Sequence, residues 1–97
     1  MSLAITEEER RIVTRILTRI LPDARYLAFG SRLGNRHHRY SDLDIAVATS
    51  GRIPLAPLSA LAEAFAESDL PFHVDIVDLN RVSLEFRQLV EANHVRL

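Results

Sequence analysis

Cysteine is absent from the 97 residues. That excludes a disulfide scaffold, a thiolate metal site and a cysteine nucleophile together. Lysine is absent too, since all twelve basic residues are Arg, a usage that genome composition can produce by itself. No apolar run approaches the roughly 20 residues that span a bilayer. The first ten residues, MSLAITEEER, carry acid where a signal peptide carries base, so a cytoplasmic protein is expected. No repeat, low-complexity stretch or linker interrupts the chain. What remains is a globular balance, with 47% hydrophobic and 26% charged residues and a mean hydropathy of +0.02. The length suits one compact domain over residues 1–97. A chain this short buries only about two-thirds of its unfolded surface, so its stability is modest or shared with a partner.

The net charge is −1, but the charge is unevenly placed. Residues 1–40 hold eight Arg against four acids, whereas residues 41–97 hold four Arg against nine acids. The total argues against a bulk nucleic-acid binder. The asymmetry points to a basic loop facing an acidic cluster.

Thr6 and Glu9 have capping-box spacing, and apolar residues recur at Ile12, Val13, Ile16, Leu17, Ile20 and Leu21. The spacing predicts an amphipathic helix stopped by Pro22-Asp23. Arg25 to Phe29 reads as a buried strand ending at Gly30, and residues 30–41 read as a loop with a short helical start. Leu43 to Ala48 is a second strand. Pro54 and Pro57 mark a connection, and Leu58, Leu61, Ala62 and Phe65 mark a second helix. Phe72 to Val77 is a third strand, and Ser83 caps a last helix through about Ala92. His94 to Leu97 is a short strand or a tail. The expected fold is α+β, a small mixed sheet with helices packed on one side.

Three carboxylates, Asp42, Asp44 and Asp75, fall in strand contexts that normally avoid acids. Asp42 and Asp44 are two apart and share a face, while Leu43, Ile45 and Val47 fill the other. Like charges held this close raise one another's pKa. The usual compensation is a divalent cation such as Mg²⁺, which one or two carboxylates hold together with substrate phosphates. Asp75, alternating with Val74 and Ile76, is placed to add a third carboxylate. Upstream, Gly30-Ser31 follows an apolar strand directly. Glycine lets backbone approach a phosphate, Ser31 offers an amide and a hydroxyl, and Arg32 adds a fixed charge. This is neither a Walker A loop nor a dinucleotide-binding Gly-x-Gly-x-x-Gly.

Gly30-Ser31, ten intervening residues and Asp42-x-Asp44 read Gly-Ser-x10-Asp-x-Asp, flanked by AFGSR and YSDLDIAV. This resembles the signature of the polymerase β-type nucleotidyltransferase superfamily, and within it the minimal nucleotidyltransferases of prokaryotic HEPN/MNT toxin–antitoxin pairs. The stretch SDLPFHVDIVD at 68–78 resembles their third-carboxylate strand. The resemblance implies a polymerase β-like catalytic core and a two-metal transfer of NMP, in particular AMP from ATP. Asp42 and Asp44 would bind the Mg²⁺ or Mn²⁺ ion that grips the triphosphate and bridge to a second ion. Asp75 would complete the second site and help deprotonate the acceptor hydroxyl. Gly30 and Ser31 would hold the β- and γ-phosphates, with Arg32 as an auxiliary. It also implies a helical HEPN-type or other substrate-binding partner encoded nearby. The alternatives are an antitoxin that acts by binding alone, and transfer to a small molecule such as an aminoglycoside.

Other residues have plainer readings. Arg36, His37, His38 and Arg39 form a basic loop tip, read as solvated. His73 flanks Asp75, Tyr40 is read as packing, and Tyr26 and Phe29 as core. An exposed apolar patch is expected on the helix from Leu58 to Phe65 and on Phe86, Leu89 and Val90.

Overall fold

The computed structural model describes residues 2–34 and 37–97. Helix α1 spans Glu7–Ile20. Its capping box is complete: the Thr6 hydroxyl accepts from the Glu9 amide at 3.0 Å, and the Glu9 carboxylate accepts from the Thr6 amide at 2.8 Å. Its buried stripe is Val13, Ile16 and Leu17. Past its end, the buried Tyr26 hydroxyl donates to the carbonyls of Leu17 and Leu21, fastening the helix terminus to the sheet.

Four strands form one mixed sheet in the order β3-β2-β1-β4, with β1 at Arg25–Phe29, β2 at Leu43–Ala48, β3 at Val74–Asp78 and β4 at Val95–Arg96. β1 runs antiparallel to β2 and β4, whereas β3 runs parallel to β2. The parallel pair needs a crossover, which helix α2 at Leu55–Ala66 supplies. α2 starts three residues before the expected Leu58. Pro57 lies in its first turn, where a missing N–H leaves no intrahelical bond unmade. Ser83 caps helix α3 at Leu84–Ala92, accepting from the Phe86 amide at 3.1 Å.

Strand alternation divides the interior into two clusters. Leu43, Ile45 and Val47 of β2 join Tyr26, Ala28 and Val74 beneath Val13, Leu17, Leu61 and Phe65 of α1 and α2. Leu27, Ala46 and Ala48 face the other way and meet Leu79 and Val90, with Phe86 packed against them. The helices therefore do not all lie on one side. α1 and α2 do, but the apolar backs of β1 and β2 need their own cover, and α3 supplies it, with Phe86 against Phe29 and Val90 in the cluster of Leu27, Ala46 and Ala48.

The expected apolar patch is largely consumed by the core. Leu61, Phe65 and Val90 are buried, Leu58 and Phe86 are half-buried, and Leu89 is exposed. The polar end of β3 is closed by Asp78, which is buried and accepts from the amides of Ile53 at 2.7 Å and Asn80 at 2.8 Å. Arg81 pairs with it at 3.3 Å. Among the described residues no helix is long and apolar enough to cross a membrane.

Candidate active site

The register of β1, β2 and β3 assembles the site. Asp44 of β2 stands opposite Phe29 of β1 on one side and Asp75 of β3 on the other. Pairing is in register, so Asp44 and Asp75 project side by side from the same face. One residue back, Leu43 pairs with Val74, and the ladder continues through the Leu43 amide to the His73 carbonyl at 2.9 Å. Asp42 and His73 lie just beyond, on the face that carries Asp44 and Asp75. Asp42 and Asp75 are exposed and Asp44 is half-buried.

β1 reaches this corner through Phe29 and stops at Gly30, whose φ of 85° lies in the left-handed region. A Cβ built there would come within 2.2 Å of the Asp44 carboxylate oxygen Oδ2. The backbone thus needs glycine twice over, for its conformation and for the approach of the carboxylate. A single 3₁₀ turn, Ser31–Leu33, follows, closed by the Leu33 amide on the Gly30 carbonyl at 3.1 Å. The first amides of such a turn have no acceptor within it, and Ser31 is exposed.

Arg32 lies elsewhere than expected. Its side chain is turned inward and only 4% of the residue is exposed. Nε donates to the Ser41 carbonyl at 3.0 Å, Nη1 to Ala4 at 2.8 Å and Nη2 to Arg39 at 2.9 Å. The guanidinium lies 4.1 Å from the centroid of the Phe72 ring. Its donors are directed to loop carbonyls and not outward toward the space beside Ser31, where the expected phosphate auxiliary would stand. Phe72, expected to open the third strand, lies before it, since β3 starts at Val74, and nothing in the sequence signals this role for it.

Electrostatically, the corner is an acid cluster that His73 compensates only in part. Burial pushes the Asp44 pKa up, the charges of Asp75 and Asp42 push it further, and His73 offsets part of the rise. As the side chains stand, no three His, Asp or Glu groups among the described residues converge on one point. Two carboxylates abreast with a third upstream still fit a hard cation, which takes few protein oxygens and completes its shell with water and phosphate.

His38 and Arg39 are exposed, as the loop-tip reading expects. Tyr40 does not pack as expected: it is 63% exposed, with the Arg39 guanidinium 5.6 Å from its ring centroid. The half-buried His37 ring nitrogen Nδ1 bonds the Gly34 carbonyl at 2.8 Å. Arg36 lies outside the described residues. Tyr26 is in the core beneath α1, and Phe29 stacks edge-on against Phe86 of α3, centroids 5.7 Å apart.

This geometry has relatives. Residues 22–97 match the family model described as polymerase beta, nucleotidyltransferase. The chain belongs to that family. Among curated proteins, it is 40% identical over 93 residues to the Haemophilus influenzae "Probable protein adenylyltransferase MntA", covering 96% of this chain and 82% of the relative. Among solved structures, one of a toxin–antitoxin with AMP-PNP superposes with a TM-score of 0.75 at 30% identity, over 89% of this chain and 69% of that one. Another holds a tri-AMPylated Shewanella oneidensis HEPN toxin in complex with its MNT antitoxin. It matches with a TM-score of 0.72 at 27% identity, over 95% of this chain and 71% of that one. The nucleotidyltransferase family, its mixed sheet and its α+β class agree with the resemblance read from Gly-Ser-x10-Asp-x-Asp.

Proposed function

We propose that this nucleotidyltransferase moves AMP from ATP to a hydroxyl on a helical HEPN-type partner, acting as the antitoxin of a toxin–antitoxin pair. The observation that carries the reading is the Asp44–Asp75 pair, abreast on one sheet face and backed by the Gly30 main chain. The Haemophilus relative's name and the AMPylated toxin in the Shewanella complex support a protein acceptor. The AMP-PNP complex supports ATP as donor.

In this reading the acceptor oxygen forms a bond to the α-phosphorus of ATP, the bond to the bridging oxygen breaks, and pyrophosphate leaves. Asp75 lies on the edge strand β3, open to an incoming partner, and takes the hydroxyl proton. Gly30 and Ser31 hold the β- and γ-phosphates through their amides and the Ser31 hydroxyl. Asp42, Asp44 and Asp75 are the residues that would hold Mg²⁺ or Mn²⁺, whose charge offsets both the carboxylates and the developing phosphate charge.

The test is co-expression with the neighbouring helical protein, followed by co-purification and intact mass. One or more AMP additions on the partner, lost with Asp44→Ala, support the reading. Stable binding and neutralisation with no mass change would instead identify an antitoxin that acts by binding alone. AMP on an aminoglycoside or another small hydroxyl compound would move the activity away from a protein acceptor.

A further inference from the structure

Arg32 is the first of the ten residues between Ser31 and Asp42, and Ser41 is the last. The 3.0 Å bond from Arg32 Nε to the Ser41 carbonyl therefore joins the two ends of that interval across the base of the loop. Nη2 holds the loop again at the Arg39 carbonyl, 2.9 Å away. Nη1 donates to the Ala4 carbonyl at 2.8 Å, while the Ala4 amide returns a 2.8 Å bond to the Arg32 carbonyl. This doubly ties the segment before α1 to the 3₁₀ turn. The flat face of the same guanidinium rests on Phe72, which leads directly into His73 and β3. One side chain thus touches all three stretches from which the site is built: it follows Gly30-Ser31, grips the residue before Asp42, and packs on the approach to Asp75.

We infer that Arg32 is a positioning residue for nucleotidyl transfer, setting the separation of Gly30-Ser31, Asp42 and Asp75 rather than touching the nucleotide. The inference rests on the nucleotidyl-transfer reading for its activity readout, but the clamp itself is independent of it. The chemistry calls for arginine specifically. A planar fork donates in several fixed directions at once and presents a face for stacking, whereas an ammonium is a single point charge on a flexible stem. Among the described residues every acceptor is a main-chain carbonyl, so the charge is retained for its geometry of donors and not to neutralise a carboxylate. Each of those carbonyls is held only as well as the fork is placed.

The experiment compares Arg32→Lys, which keeps the charge and loses the fork, with Phe72→Leu, which keeps the fork and loses its stacking surface. Measurements are made at a temperature where circular dichroism shows both variants folded. Positioning predicts that Arg32→Lys lowers kcat about 30- to 100-fold, since an ångström of misplacement costs on that order. It also predicts that the Mg²⁺ concentration for half-maximal rate rises, and that Mn²⁺ with a non-reactive ATP analogue binds about tenfold more weakly by calorimetry. Amide exchange over residues 37–42 should accelerate while β1 and β2 stay protected. Phe72→Leu should move every readout the same way by a smaller factor, and it carries the test if Arg32→Lys does not fold. A role in stability alone would lower the melting temperature but leave kcat and metal binding of the folded protein unchanged, which overturns the inference. So does an Arg32→Lys variant with wild-type rate, since charge would then suffice. If the wild-type protein transfers no AMP, the activity reading fails by itself, and analogue binding and loop exchange still decide whether Arg32 sets the site.

Discussion

The two faces of strand β2 carry opposite kinds of residue within six positions. On one face Leu43, Ile45 and Val47 are fully buried beneath α1 and α2, and every neighbour adds apolar area. On the other, Ala46 and Ala48 lie under α3, but Asp44 stands among carboxylates. The first face is optimised for stability, because burying a large aliphatic side chain contributes about 1.5–3 kcal/mol. The second gives stability away at one end, since half-burying a carboxylate beside two like charges is unfavourable. The same protein shows what a carboxylate kept for structure looks like. Asp78, three residues after Asp75, is buried with two amide donors and Arg81. Asp44 has repulsion where Asp78 has partners. That difference separates a site residue from a structural one better than burial does.

Removing the carboxylate tests the site face most directly. Asp44→Ala should abolish measurable AMP transfer, a loss of about a thousandfold or more, while the protein stays folded by circular dichroism. A rate within tenfold of wild type would mean that the polar face is not the site. On the other face, Leu61→Ala should cost about 2–5 kcal/mol of unfolding free energy in urea titration, because Leu61 is fully buried over the sheet. The folded fraction of that variant should turn over normally. If it instead loses activity without losing stability, the two faces are not as independent as strand alternation makes them.

How much of this was legible in the sequence depends on the range of the interaction. The capping box at Thr6, the β2 alternation and the Ser83 cap are written within a few residues of one another, and each forms as read. The carboxylates were legible because three acids in apolar strand contexts have no local explanation. That Asp75 stands abreast of Asp44 follows from a parallel register, which spacing alone does not specify. The side of the sheet taken by α3 was not legible: Phe86 and Val90 mark an apolar stripe, but nothing in that stripe says which face of β2 it meets. Arg32 was misplaced for a similar reason. An arginine after Gly-Ser suggests a phosphate, and its bonds to Ala4, Arg39 and Ser41 depend on how the loop closes.

Gly30 joins the two regions, since it ends a core strand and backs a site carboxylate. Gly30→Ala should strain the main chain at φ 85° and drive a methyl group into Asp44 Oδ2. The expected result is a melting temperature lowered by roughly 4 to 20 °C, for a strain of about 1–3 kcal/mol. The rate should fall about a hundredfold as Asp44 and the Ser31–Leu33 turn shift apart. Loss of stability with an unchanged rate would place the glycine with the core alone.

The smallest effect expected is in the pH dependence of the metal-free protein. The Asp44 pKa is raised in the folded state, first by burial and then by Asp75 and Asp42. The folded protein therefore holds that proton more tightly than the unfolded chain does. The resulting contribution to stability is fully present below the ordinary carboxylate range and is lost as pH rises through the elevated folded value. Near neutral pH the ionised Asp44 is a net liability, so Asp44→Asn should raise the apo melting temperature there. As pH falls into the carboxylate range the wild type should close that gap, because its own Asp44 becomes neutral. Mg²⁺ with ATP should raise the wild-type melting temperature at neutral pH and the variant's much less, since the ligand acts by binding the folded state. Melting curves of both proteins from acid to neutral pH, with and without Mg-ATP, read all of this together. If the variant melts below wild type at neutral pH in the apo state, the cluster is already neutralised from within the protein, and the contrast between Asp44 and Asp78 dissolves.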